Sequence, residues 1–267
     1  METPTALVTG AAQGLGQQFA VALAGRGYRV AGLDLVPQPR TAAKVLDYVE
    51  LVGDVTDETM VRRALEQAVD RFGTLHVLIN APGTCPAGPV ENTAAEDISS
   101  QDISTEDIST ESTSVEDTSV EDTSVEDLRR TLRAGLEAPF LVTRLALPYL
   151  KAAGWGRIVN IASPAVCTAP PAPVPHAAAR TGLIGLTRAL AAALGPHGIT
   201  VNAIASGPLP AVAGERPAGA DGVRGRRAAR RLQEPADLVS TLLYVVDAGS
   251  GFLTGQTLDL SGGPSCG

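Results

Sequence analysis

The sequence predicts an α/β fold: a single domain built on a doubly wound parallel sheet. Three observations carry that reading. Short apolar runs alternate with stretches of helical periodicity along the chain. The runs are rich in Val, Ile, Leu and Ala without polar alternation, as strands buried on both faces require. The first run ends in a glycine-rich turn that opens a helix.

The elements follow in order. Residues 5–9 (TALVT) form a first strand, and 17–24 have helical spacing. Residues 29–35 (RVAGLDL) and 48–53 read as strands, 61–72 as a helix, and 75–80 (LHVLIN) as a fourth strand. Further on, 128–151 is a long helix, 157–162 (RIVNIA) a strand and 176–194 another long helix. A strand at 200–204, a helix near 235–247 and a last strand at 256–260 complete the pattern. Strands joined by helical crossovers of this length pair in parallel, so a ligand is expected beyond their carboxyl ends.

The chain's 267 residues suit one domain over 1–267, and 44% hydrophobic content is ample for its core. No apolar stretch is long enough to span a bilayer, and METPTALVTG lacks the form of a signal peptide. Three scattered cysteines, Cys85, Cys167 and Cys266, suggest neither a disulfide framework nor a metal cluster. The expected location is the cytoplasm, away from membranes. The net charge of −8 has a local origin, since residues 98–127 hold ten carboxylates and no Lys or Arg. Without them the body is near neutral, and nothing argues for nucleic-acid binding. That segment consists of six pentads (ISSQD, ISTED, ISTES and three TSVED) and is too polar to offset its ordering entropy. It reads as a disordered low-complexity insert, either a tandem expansion or a surface for docking a partner or carrier. Excision joins Asp97 to Leu128 in an amphipathic helix start.

The turn is Thr9-Gly10-Ala11-Ala12-Gln13-Gly14-Leu15-Gly16. Its glycines allow a tight bend and close approach to a pyrophosphate, whose charge meets N–H groups at the helix N-terminus. Asp34 ends the second strand, where a carboxylate accepts from adenosine-ribose hydroxyls and repels a 2′-phosphate. Gln13 leaves the turn without a basic residue, so NAD(H) is favoured and NADP(H) is second.

With these residues in place, the chain resembles the short-chain dehydrogenase/reductase superfamily, a Rossmann-type fold, and most of all its 3-oxoacyl-carrier-protein reductase branch. The resemblance spans residues 5–263 apart from the insert. TGAAQGLG matches TGxxxGxG, Gly53-Asp54-Val55 the adenine-contacting segment, and Asn80-Ala81-Pro82-Gly83 the NNAG segment. GRIVNIAS (156–163), Gly198-Ile199-Thr200-Val201-Asn202 and LTGQTLDLSGG (253–263) match later signatures. The resemblance implies an NAD(P) site on Gly10, Gln13, Gly14, Leu15, Gly16, Asp34, Asp54, Val55, Asn80, Ala81, Gly83 and Arg180.

It also locates departures. The family's tetrad is Asn, Ser, Tyr and Lys. Ser163 stands in the serine place, but the tyrosine position thirteen residues on holds His176, and the lysine position holds Arg180. Gly135 occupies the asparagine position, and Ser206-Gly207-Pro208-Leu209-Pro210-Ala211 lacks the threonine of PGxxxT. Arginine keeps the charge but passes no proton and is bulkier than an ammonium. Imidazole can act as a general acid, yet a guanidinium beside it favours its neutral form. The resemblance therefore implies a pseudoenzyme subunit in a tetramer with an intact homologue, as in aminocoumarin-type antibiotic pathways, where the substrate is carrier-bound. Two alternatives stay open: an atypical ketoreductase using His176 and Ser163, and an NAD-sensing module without hydride transfer. His76 and His197 read as surface residues, and the basic run 224–231 as a solvated helix or a carrier-facing patch. Residues 170–175 (PPAPVP) are expected to stiffen a loop over the pocket.

Overall fold

The computed structural model describes residues 3–81, 123–163, 173–207, 209 and 228–263. Seven strands, β1 (Thr5–Thr9), β2 (Arg29–Asp34), β3 (Tyr48–Val52), β4 (Val77–Asn80), β5 (Gly156–Ala162), β6 (Ile199–Ser206) and β7 (Thr257–Leu260), form one sheet in the order β3-β2-β1-β4-β5-β6-β7. Every pairing is parallel. The chain reverses its direction of winding between β1 and β4, which opens a crevice at their carboxyl ends.

Side-chain alternation along the strands feeds two cores. Leu7, Leu78, Ile158 and Val201 point to one face; Ala6, Val8, Val77, Ile79 and Val159 point to the other. Helices α1 (Gly14–Gly25) and α7 (Ala236–Val246) cover the second face with Phe19, Leu23, Leu238, Leu242 and Val245. Helices α3 (Glu58–Phe72), α5 (Ala138–Ala152) and α6 (Val174–Leu194) cover the first with Leu65, Phe72, Leu150 and Leu194. Each such side chain contributes about 1.5–3 kcal/mol by leaving water. Among the described residues no helix is long and apolar enough to cross a membrane, and no His/Cys/Asp/Glu group could hold a metal.

The structure corrects several expectations. The short helix α2 (Pro39–Ala42), with Pro39 in its first turn, was not anticipated. The strand and helix ends shift by a few residues. Helix α4 (Val125–Leu132) starts inside the acidic repeat: Ser124 caps it, and Ser124 and Asp127 form a reciprocal capping box. The last pentad is followed by an amphipathic run, and there Ser-x-x-Asp initiates a helix. Residues 98–122 lie outside the described part. The long helix expected over 128–151 is broken by a π-helical turn at Arg133–Glu137 that contains Gly135. Finally, His76 is 4% exposed rather than a surface residue. Its Nδ1 accepts from the Thr5 N–H at 3.2 Å, and its ring lies 4.8 Å from that of Trp155. His197 is exposed as expected.

Candidate active site

The glycine turn sits at the crevice between β1 and α1. Gly10 and Gly14 adopt φ of 67° and 55°, values that disfavour any side chain. A Cβ on Gly16 would lie 2.1 Å from the Gly10 carbonyl oxygen, so only glycine allows the helix to enter this close to the loop. Gln13, exposed and extended, precedes α1 without capping it, and no acidic residue occupies the first turn. The N–H groups of Gly14, Leu15 and Gly16 therefore meet an anion without a competing carboxylate. The loop is a cradle with the shape and polarity a pyrophosphate needs.

Asp34 borders this cradle half-buried. Its Oδ2 accepts from the Ala12 N–H at 2.9 Å and its Oδ1 from the Val36 N–H at 3.3 Å. A carboxylate has about four acceptor sites, so capacity remains for ribose hydroxyls. Asp54 Oδ1 accepts from the Thr56 N–H at 2.8 Å, which fixes the turn after β3, and Val55 packs against the core.

Asn80 departs from expectation. It is 1% exposed, and its Nδ2 donates to Asn160 Oδ1 at 2.8 Å and to Thr143 Oγ1 at 3.2 Å. Asn160 in turn donates to Thr187 Oγ1 at 2.9 Å. This amide braces β4, β5, α5 and α6 from within, because a side chain at that register faces the interior and not the crevice. Ala81 contributes its N–H to Thr9 Oγ1 at 3.0 Å, tying the ends of β1 and β4 together. Gly83 and the residues at 208, 210 and 211 lie outside the described part.

Of the expected catalytic positions, Arg180 and His176 share α6, Arg180 reaches β5, and Gly135 packs on α6. Ser163 follows the end of β5, half-buried. His176 and Arg180 lie one turn apart on α6. Arg180 is 9% exposed and donates through Nη1 to the Ile161 carbonyl at 2.7 Å, which ties one arm of its guanidinium to the backbone of β5. Burial lowers its pKa to about 10, which leaves it cationic at neutral pH. Gly135 packs from the π turn against the same helix: a Cβ there would come within 3.0 Å of Ala179 Cβ.

Burial first, and the Arg180 charge second, push the His176 pKa down to about 4. An unfolded chain takes up this proton near pH 6.5, whereas the folded one resists until about pH 4. The stability tied to the neutral ring is thus intact above pH 6.5 and lost as pH falls towards 4, by up to about 3 kcal/mol. Melting temperatures followed from pH 7 to 4.5 should fall more steeply for the wild type than for His176→Gln. Parallel curves would show that the imidazole titrates as it does in water.

Sequence reasoning missed the polar residues that hold the turn from behind: Gln17, Gln38, Thr41 and Tyr48. One signal was present, a glutamine on the core-facing side of α1, which a helix amphipathic by apolar pattern alone does not explain.

Comparisons with known proteins agree with this architecture. A family model described as short chain dehydrogenase matches residues 4–216. The BbsD subunit of a hydroxy(phenyl)methylsuccinyl-CoA dehydrogenase from Thauera aromatica is 30% identical, with 99% of this chain and 98% of that one covered. A Streptomyces violaceoruber protein named as a ketoacyl reductase of granaticin polyketide synthase is also 30% identical, over 98% and 96% of the two chains. A solved Burkholderia cenocepacia short chain dehydrogenase in complex with NADP superposes with a TM-score of 0.78 at 28% identity, covering 98% of both chains. The fold, the glycine turn and these matches together make this chain a member of the short-chain dehydrogenase family of oxidoreductases.

Proposed function

We propose that the chain is a cofactor-binding subunit impaired in proton transfer. It works beside an intact short-chain dehydrogenase in NAD(P)-dependent interconversion of β-hydroxyacyl and β-ketoacyl groups. One observation carries the reading: the cation of Arg180 is buried and bonded to the Ile161 carbonyl, beside a His176 held neutral. An acid with a pKa of about 4 is protonated in roughly one molecule in a thousand at pH 7. His176 is therefore a poor proton donor to a ketone oxygen.

The residues around the cradle fit a dinucleotide. Gly10, Gly14, Leu15 and Gly16 would take the pyrophosphate; Asp34 would take the adenosine ribose and favours NAD(H) over NADP(H); Asp54 and Val55 would flank the base. A bound nicotinamide would supply the hydride. Ser163 can orient a substrate oxygen with its hydroxyl, while Gly135 offers no side chain to steady a relay water.

The substrate class rests on two relatives, one named for a hydroxyl-bearing succinyl-CoA ester and one as a ketoacyl reductase of a polyketide synthase. The partner reading is supported by an open groove whose apolar floor of Leu132, Leu136, Phe140 and Leu186 is flanked by Arg129, Arg133 and Glu137, with Phe140 45% exposed. The test is to titrate NAD+ into the purified chain, then assay reduction of a β-ketoacyl thioester with and without a co-expressed intact homologue. Cofactor binding with turnover only in the mixture is expected. Isolated turnover at ordinary enzymatic rates, about 1–1000 per second, would overturn the reading. Cofactor binding with no activity in any mixture would make the chain an NAD sensor instead.

A further inference from the structure

Behind the glycine turn lies a polar assembly that the reaction does not touch. Helix α2 presents Thr41, fully buried, whose Oγ1 donates to the Ala11 carbonyl at 2.7 Å. Gln17 on α1, 8% exposed, donates through Nε2 to the Ala12 carbonyl at 3.1 Å and to Thr41 Oγ1 at 3.0 Å. Lys44 Nζ donates to Gln17 Oε1 at 3.1 Å and so fixes the amide's orientation. Helix α2 itself hangs from Gln38, which is fully buried. Gln38 donates through Nε2 to the Leu51 carbonyl at 2.8 Å and the Gly32 carbonyl at 3.2 Å, and accepts from the Tyr48 hydroxyl.

We infer that Thr41 and Gln17 are positioning residues for the phosphate-binding loop: they hold the Ala11 and Ala12 carbonyls to the rear so that the loop meets an anion with N–H groups alone. This rests on the cofactor reading above. A carbonyl oxygen carries partial negative charge, and two of them turned towards a pyrophosphate would oppose it. In an unlocked loop each peptide could rotate, and binding would have to order those residues. Asp34 anchors the opposite side of the same peptide through the Ala12 N–H, so rotation there is blocked from both ends. The arrangement is also demanding, because a buried carbonyl left without a donor is costly. Thr41 and Gln17 each satisfy one, and the hydroxyl of Thr41 serves both as donor to Ala11 and as acceptor from Gln17.

The experiment is calorimetric titration of the wild-type chain, Thr41→Val, Thr41→Ser and Gln17→Met with NAD+, ADP and adenosine. Thr41→Val should weaken NAD+ and ADP about tenfold, equivalent to one hydrogen bond. Adenosine should change less than twofold, because it places no phosphate on the loop. Thr41→Ser keeps the hydroxyl and should restore wild-type affinity. Gln17→Met tests the second carbonyl independently, should Thr41→Val fail to fold. Unchanged NAD+ affinity in folded Thr41→Val or Gln17→Met would overturn the inference, as would equal losses for adenosine and ADP. A wild type that binds none of the three ligands would overturn the cofactor reading and this inference with it.

Discussion

The double substitution His176→Tyr with Arg180→Lys should raise the rate of ketone reduction by the isolated chain about 100- to 1000-fold. Positioned general acids contribute about 10²–10⁴ in rate, and the site at present offers one that is almost never protonated at neutral pH. A phenol with an unperturbed pKa of about 10 carries its proton throughout the working range. A neighbouring ammonium on α6 would lower that pKa and presents a compact head that can rotate its donors towards the phenol. Lysine is also slimmer, and its head would be free of the fork geometry that now ties Arg180 to the Ile161 carbonyl at 2.7 Å. The gain should stop short of a full restoration. A Cβ at Gly135 would lie 3.0 Å from Ala179 Cβ, so α6 must give by a few tenths of an ångström before a side chain fits there, and the double variant leaves that position empty. Steady-state NADH oxidation by the single and double variants is the measurement. A wild type already as fast as the double variant would remove the premise of an impaired site.

Gly16→Ala should cost more than 100-fold in NAD+ affinity and destabilise the fold by about 1–3 kcal/mol, the usual cost of overpacking. The new methyl would stand 2.1 Å from the Gly10 carbonyl oxygen and 2.6 Å from its carbon, which is backbone and cannot swing aside. Relief requires α1 to draw back from the turn, and that withdraws the N–H groups a pyrophosphate meets. Gly25→Ala at the other end of α1 is the control, since a Cβ there meets nothing within 4 Å. Calorimetric titration and thermal melts of both variants separate the outcomes. Equal affinity in Gly16→Ala and Gly25→Ala would show that the turn is only a connection.

The strands and the glycine turn were legible in the sequence because their signals are local. An apolar run such as TALVT or RIVNIA must be buried on both sides, and three glycines between a strand and a helix let the backbone close in on an anion. The residue identities at 135, 176 and 180 were likewise visible. Their present chemistry was not. That Arg180 bends onto Ile161, and that His176 is neutral, depends on how deeply α6 settles against β5.

The acidic repeat makes the same division from another side. Its composition marks 98–127 as foreign to the core, yet composition could not show that Ser124 and Asp127 cap a helix. Capping needs a helix to follow, and that depends on the residues after Asp127.

The sequence alone determined the parallel, doubly wound sheet, the glycine turn of the pyrophosphate-binding type and the residue identities at 135, 176 and 180. Periodicity and turn chemistry are properties of neighbours in the chain. The tertiary structure alone decided which polar side chains face the crevice and which are spent inside. Asn80 finds Thr143 and Asn160 across 63 and 80 residues, and Thr41 reaches Ala11 across 30. A buried polar group must be satisfied by whatever the fold brings beside it, and no local pattern records that partner.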